Sequence, residues 1–340
     1  MATIDDVARR AGVSPSTVSY AMSGKRPISP ATRARIDEAV RELGFTPHAG
    51  ARALATARTM VIGLFVQFLA SEFSPAMLQY VLPIADTARE AGYDILMVTD
   101  QDGPTALRRI ADSNRVDGVI LLNVAHAAPR VAVLRSVRQP GAMVGLPRDT
   151  SGVDVFDLSF EEGARLLVDH LHELGHRTIV LVTPQTHVFE RGGAYAWRFR
   201  DAALERASSY GIRVFSFPGE TQQPATDAQL GRILDETGEA SAWIVHNDAT
   251  IAALPAVLHA RGMRVPDDLS VVGIYSDDFG RMFSLPYTAV ETHPDTLGRA
   301  AVQALVQRML DPDGAGAVAT SFVSPTLTDR GSTTRASARR

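Results

Sequence analysis

Apolar positions recur at two different periods along the chain, and the change of period divides it into parts. Near the start, Ile4, Val7, Ala8 and Ala11 fall at helical spacing and form one apolar stripe. Gly12 supplies a permissive backbone for a turn, and Ser14 is a natural N-cap. Pro15 follows at the first position of a second helix, where its missing N–H costs nothing. Val18 and Ala21 of that helix point back at the first, which leaves Ser16, Thr17 and Tyr20 facing outward. The spacing predicts a third helix over 31–43, apolar along Ile36, Ala39, Val40 and Leu43 and closed by Gly44. Small polar side chains on the outer face of a helix-turn-helix suit a DNA major groove. A generic helical hairpin is the competing reading of the same residues.

From Thr59 the pattern changes to short apolar runs alternating with amphipathic segments. Runs at 60–66, 93–99 and 116–122 read as buried strands, with helices over 75–91 and 105–113 between them. The rhythm then repeats with strands at 178–182, 213–217, 242–245 and 270–274 and helices over 161–174, 195–210, 227–236 and 250–261. Strands alternating with helices give parallel sheets covered on both faces, so the class is α/β, arranged as two lobes. Chain crossings between the lobes are expected near 157–160, 287–293 and 321–326. Open sheets of this kind bind ligands beyond the carboxyl ends of their strands, which places a ligand between the lobes.

Charge separates the same parts. The first 58 residues carry nine basic and five acidic side chains, a net +4, which leaves −8 on the rest of a chain whose total is −4. A basic head on an acidic body points to a nucleic-acid partner for the head. The chain has no cysteine, so it has neither a disulfide framework nor thiolate chemistry. No apolar run reaches membrane-spanning length, and Asp5 and Asp6 interrupt any signal-peptide pattern; a cytoplasmic protein is expected.

One motif argues for a different class. His172-Glu173-Leu174-Gly175-His176 matches the zinc-protease pattern H-E-x-x-H, which needs both histidines one turn apart on a continuous helix. Gly175 reads as a helix stop, and the apolar run from Thr178 is a strand, so His176 lies beyond the helix. The extended motif would place Gly at 179 and His at 182, where Ile179 and Val182 stand. With no phosphate loop or nucleophile elbow either, no catalytic residue, metal or cofactor is expected.

Ile4-Asp5-Asp6-Val7-Ala8, Ala11-Gly12-Val13-Ser14, Thr17-Val18-Ser19, Thr32-Arg33, Leu43-Gly44-Phe45-Thr46-Pro47 and Ala51-Arg52-Ala53-Leu54 carry a family resemblance. On these residues the chain resembles the lactose-repressor (LacI/GalR) family of bacterial transcription regulators, and the likeness runs over nearly its whole length. It implies a three-helix DNA-binding head at 1–46, a hinge helix at 47–58 and a periplasmic-binding-protein-like body at 59–330. The N-lobe is then 59–157 with 291–321, the C-lobe 158–288 with 322–330, and 331–340 a disordered tail. The polar tail has no heptad leucines, so a homodimer without a tetramerising coiled coil is expected.

The resemblance also implies roles. The second helix, opened by Pro15, sets Ser16, Thr17 and Tyr20 at base edges, while Thr3, Ser14, Ser19, Ser29 and Thr32 hold phosphates of a palindromic operator. His48, Ala51, Arg52 and Leu54 belong to the hinge, with Leu54 a wedge for the minor groove. Many relatives carry Arg at the place of Tyr20, so an altered half-site is implied there; packing of the phenol on the sugar–phosphate edge is the alternative. Effector positions correspond to Gln67, Phe68, Met77 and Asn123 in one lobe and to Arg191, Tyr195, Phe217, Asn247 and Tyr275 in the other. Asn247-Asp248 also reads as a helix cap, and Asp248 is assigned to that role alone.

Two polar anchors depart from the family pattern. Tyr195 stands where relatives place Arg, and Gly273-Ile274-Tyr275-Ser276 replaces Gly-Phe-Asp-Asp, with acids following only at Asp277 and Asp278. A carbohydrate is the default ligand, and the aromatic substitutes favour a larger, less polar one or an oligosaccharide stacked on rings. Three functions stay open: a ligand-responsive repressor, an effector-independent transcription factor, and a solute-binding protein of the periplasmic type.

Overall fold

The structure is a computed structural model and describes residues 2–23, 26–45, 56, 58–66, 74–100, 102–313 and 316–336. The head is three helices whose boundaries are set by local caps. Thr3 opens α1 (Ile4–Ala11) in a reciprocal capping box with Asp6, and Gly12 closes it at φ 65°. Ser14 accepts from the Thr17 N–H at 3.1 Å to open α2 (Pro15–Ser23). Ser29 accepts from the Thr32 N–H at the start of α3 (Pro30–Leu43), which ends at Gly44 with φ 57°. Val7, Ala8, Ala11, Val18, Ala21, Ile36 and Ala39 meet in a small core rimmed by Ile4, Val13, Met22, Ile28, Val40 and Phe45.

The body begins with β1 (Val61–Phe65), α4 (Ser74–Glu90), β2 (Asp94–Val98), α5 (Gly103–Asp112), β3 (Gly118–Leu122), α6 (Pro129–Ser136), β4 (Gly141–Val144) and β5 (Asp154–Leu158). The chain then crosses into a second unit. That unit runs through α7 (Phe160–Glu173), β6 (Thr178–Thr183), α8 (Thr186–Glu190), α9 (Ala194–Ser209) and β7 (Arg213–Pro218). It continues with α10 (Ala225–Glu236), β8 (Ala242–Val245), α11 (Asp248–Ala260), β9 (Ser270–Ile274), α12 (Asp277–Met282) and β10 (Thr288–Val290). It returns for α13 (Pro294–Leu310) and β11 (Thr320–Val323), and crosses a third time to β12 (Leu327–Thr328).

Two six-stranded sheets result, in the orders β11-β5-β4-β3-β1-β2 and β12-β10-β9-β8-β6-β7. Every pairing is parallel except β10 with β12. Alternate residues of the central strands feed opposite faces. In the N-lobe, Ile62, Leu64, Ile120 and Leu122 face Ile84 of α4 and Leu297 and Leu305 of α13. Phe65, Val119 and Leu121 face Leu107 of α5 and Leu134 of α6. In the C-lobe, Ile179, Leu181 and Ile244 pack against α7 and α9, while Val180, Val182 and Trp243 pack against α10 and α11. Sheets buried on both faces are why these strands read as unbroken apolar runs.

Two expectations change here. β11 stays with the N-lobe sheet to Val323 rather than ending at 321. Residues 331–336 are no disordered tail: Ser332 is buried and donates to the Val271 carbonyl at 2.5 Å, and the Ala336 N–H donates to the Leu174 carbonyl at 2.9 Å. The segment is polar because its hydroxyls and amides complete the C-lobe's hydrogen bonding, not because it is solvated throughout. Of the expected hinge helix, His48, Ala51, Arg52 and Leu54 lie outside the described residues.

Candidate functional site

Exposed hydroxyls gather at the helix N-termini of the head. Thr3, Ser14 and Ser29 are the exposed caps, and the Ser14 hydroxyl lies 2.8 Å from those of Ser16 and Thr17. Ser29 and Thr32 form a second hydroxyl pair at 2.8 Å. Helix N-termini lined with donors suit phosphate oxygens. On α2, Pro15 and Ser16 are exposed, Thr17 and Ser19 are half-buried, and Tyr20 is 37% exposed. The Arg26 guanidinium stands 5.6 Å from the Tyr20 ring centroid. That aromatic–cation pair on the open face of α2 presents a flat surface and a positive charge together.

A second site lies where the two sheets face each other. A cavity of about 180 Å³ is walled by the segments leaving β3, β4, β5, β6, β8 and β9, closed on one side by α4. Met77, Asn123, Tyr195, Asn247 and Tyr275 all line it, five of the expected effector residues. Asn123 takes a left-handed backbone at φ 57°. Its side-chain oxygen accepts from Arg191 of the other lobe at 3.3 Å, and its carbonyl accepts from Arg130 at 3.2 Å. Burial draws the Arg130 pKa down to about 10. Arg191 therefore reaches the rim through Asn123 and does not itself line the cavity. The lobes also meet where the His126 N–H donates to the Gly192 carbonyl at 2.6 Å and where the Ser276 hydroxyl bonds Gln79.

Asn247 is the cap of α11: its side chain accepts from the Thr250 N–H at 2.9 Å. A Cβ on Gly219 would fall 2.4 Å from the Asn247 amide nitrogen, so only glycine lets this side chain sit where it does. Tyr275 borders the cavity, but its ring packs into the C-lobe core against Phe279 with Arg330 over it, and its hydroxyl donates to the Tyr287 carbonyl at 2.5 Å. Phe217 does not reach the cavity. It lies on β7, the edge of its sheet, and packs half-buried against the C-lobe core. Gln67 and Phe68 lie outside the described residues. Asp277 pairs with Arg330 and Asp278 with Arg281, so neither acid serves the cavity.

The cavity also holds groups that the sequence pattern did not single out. Asp248, relieved of capping by Asn247, occupies the first turn of α11 and lines the cavity; burial pushes its carboxyl up to about 7. Neighbouring His246 is buried against Phe199, Tyr195 and Phe160, with its Nδ1 unpartnered and its pKa drawn down to about 3 by burial. It is therefore neutral. The Tyr80 hydroxyl bonds Thr292, and burial raises its pKa.

Asp157, at the first lobe crossing, is held by Arg198. Burial lifts its carboxyl to about 6, against the opposing pull of that guanidinium. Arg198 also forks onto both oxygens of Glu161 at 2.6 and 2.7 Å, donates to the Leu158 carbonyl, and lies between the rings of Phe160 and Phe322. One guanidinium thus ties α9 to the crossing strand beside the cavity floor.

The H-E-x-x-H residues are arranged for something else. Gly175, at φ 87°, breaks away from the helix. His172 stacks on Tyr210 at 3.7 Å between ring centroids. His176 is buried, bonded through Nδ1 to Ser241 at 2.7 Å and through Nε2 to the Thr334 carbonyl at 3.1 Å. A carbonyl can only accept, so Nε2 carries the proton and Nδ1 accepts from the serine. Among the described residues no group of three His, Asp or Glu side chains is placed to hold a metal ion.

Residues 3–48 match the family of bacterial regulatory proteins, lacI family, and residues 168–333 match the periplasmic binding protein-like domain. The HTH-type transcriptional regulator CelR of Thermobifida fusca is 30% identical over 319 residues, spanning 90% of this chain and 92% of that protein. The chain belongs to the lacI family of bacterial regulatory proteins. Among solved structures, the regulator is similar to the lac repressor dimer bound to operator and the anti-inducer ONPF, with TM-score 0.82 and 25% identity over 98% of this chain and 99% of that one. It is also similar to the transcriptional regulator CelR–cellobiose complex, with TM-score 0.66 and 25% identity over 98% and 100% of the two chains. The protein is a DNA-binding transcription regulator and not an enzyme. Among the described residues no helix is long and apolar enough to cross a membrane.

Proposed function

We propose that this regulator is a cytoplasmic repressor that binds a palindromic operator as a homodimer and changes its operator affinity when a sugar-sized ligand enters the interlobe cavity. The observation that carries the reading is the wall of that cavity. Asn123, Asn247, Asp248 and Ser276 converge there with the rings of Phe160 and Tyr195, a mix of hydrogen-bonding groups and flat apolar faces that suits a pyranose ring. A relative of similar length has been solved with cellobiose.

A dimer is supported by apolar side chains left in the open. Leu78 and Leu82 on α4, Met97 on the edge strand β2 and Met282 on α12 are all exposed, and α4 and β2 are neighbours at one side of the N-lobe. Pairing two heads on a two-fold axis would match the symmetry of a palindrome. Ligand binding would shift the lobes and so the segment joining them to the head, a coupling of about 1–3 kcal/mol or roughly 5–150-fold in operator affinity.

The test is operator selection from random duplexes with the purified protein, followed by titration of the selected duplex with cellobiose and a monosaccharide panel. A sugar that changes operator affinity and raises the melting temperature supports the reading. A protein that binds its operator with unchanged affinity across the panel refutes the ligand half. Failure to select any duplex refutes the DNA half.

A further inference from the structure

The described lining of the interlobe cavity carries carboxylates but no permanent cation. Among its described lining residues, Asp157 and Asp248 are carboxylates and none is Lys or Arg. Asp157 is neutralised from outside by Arg198. Asp248 has only its own backbone as a hydrogen-bonding influence, and burial opposes its charge. His246, two residues before it, stays neutral and offers an unpartnered Nδ1. Arg191, the guanidinium nearest the rim, is held on Asn123. Tyr80, Phe160 and Tyr195 line the same cavity.

A half-buried carboxylate with no ion-pair partner among the described residues, in a cavity whose described lining holds no Lys or Arg, attracts a cation that supplies the missing counter-charge. We infer that the effector carries a protonated amine, an amino sugar by class, and that its ammonium group is received by Asp248. This rests on the reading of the cavity as a sugar-sized effector site. A neutral sugar can donate hydroxyls to Asp248 but leaves its charge unpaired; an ammonium pairs it.

The experiment compares sugars matched in all but one group: glucosamine with glucose, galactosamine with galactose, and mannosamine with mannose, with N-acetylglucosamine as a nitrogen-bearing neutral control. Binding to the full-length protein is read by calorimetry at neutral pH, and operator release by titration of the selected duplex. In the pair whose stereochemistry suits the cavity, the amino sugar is expected to bind about tenfold or more tightly than its neutral partner. Asp248→Asn, its folding checked by melting temperature, should bring the two within about twofold. Equal or tighter binding of the neutral members overturns the inference and leaves the sugar-effector reading standing. If no sugar of either kind binds, both fall. An amino sugar that binds without altering operator affinity upholds the ligand class and removes the effector role.

Discussion

Replacing Asp248 by Asn should stabilise the regulator, and by an amount that depends on pH. In the unfolded chain the carboxyl ionises near its ordinary 3.8; in the folded protein burial holds it up to about 7. Between these values the native state keeps a proton that the unfolded state has lost, so rising pH withdraws stability. Each pH unit across that window costs about 1.4 kcal/mol, about 4 kcal/mol once the group is charged. Asn pays none of this, apart from losing a favourable negative charge in the first turn of α11, worth about 0.3–1 kcal/mol.

The wild-type profile hides the slope, because His246 works in the opposite sense. Its imidazole is drawn down to about 3, so stability is lost as pH falls from 6.5 towards that value. The difference between Asp248→Asn and wild type isolates the carboxylate. It should be near zero at about pH 4 and reach about 3 kcal/mol by about pH 8, a rise of roughly 6 °C or more in melting temperature. Denaturant titrations at a series of pH values give the curve. A difference that stays constant with pH would mean that Asp248 is not held above its ordinary range, and would refute the reasoning.

Three other changes probe separate parts of the molecule. Arg198→Met removes the partner of buried Asp157 and should cost about 3–5 kcal/mol at alkaline pH. The loss should shrink in acid, where Asp157 takes up a proton, and denaturation at two pH values measures it. Tyr20→Ala should weaken specific operator binding by about 1–3 kcal/mol with helix content unchanged, since the ring is exposed; gel shifts and circular dichroism check the two halves. His176→Ala severs the bonds to Ser241 and Thr334 and should cost about 1–3 kcal/mol. Limited proteolysis should then cut the 331–336 segment sooner, while added zinc leaves wild type and variant alike.

What was legible in the sequence was what is local. The caps at Thr3, Ser14 and Ser29 and the stops at Gly12 and Gly44 each act within a few residues, and the helices of the head follow from them. The strand–helix rhythm was equally readable because both faces of each sheet are buried. The sequence pattern does not single out α6, β4, β5, α13 or β10–β12; for β11 and β12 the reason is that their partners lie far off along the chain, and no short-range pattern announces which sheet a returning strand will join. The cavity divides in the same way. Asn247 announces itself by its place after a buried strand, but Asp248 becomes a cavity acid only because Asn247 takes the cap, and Asp157 only because Arg198 arrives from α9. Phe217 was misplaced for want of strand order, since β7 proves to be an edge. The 331–336 segment reads as solvated because Ser332 and Thr334 find their partners on distant strands.

The three chain crossings bear on how the molecule is made. β11 completes the N-lobe sheet beside β5, yet residues 159–319, almost the whole C-lobe among them, are synthesised between those two strands. On the ribosome the N-lobe must therefore wait, its β5 edge open, while its neighbour emerges, and β12 then closes the C-lobe only after β11 has been laid down. Neither lobe is a contiguous stretch of chain. A nascent chain arrested before residue 320 would present an uncapped parallel edge to solvent and to other chains, so this regulator is most open to misassembly while its C-lobe is being made.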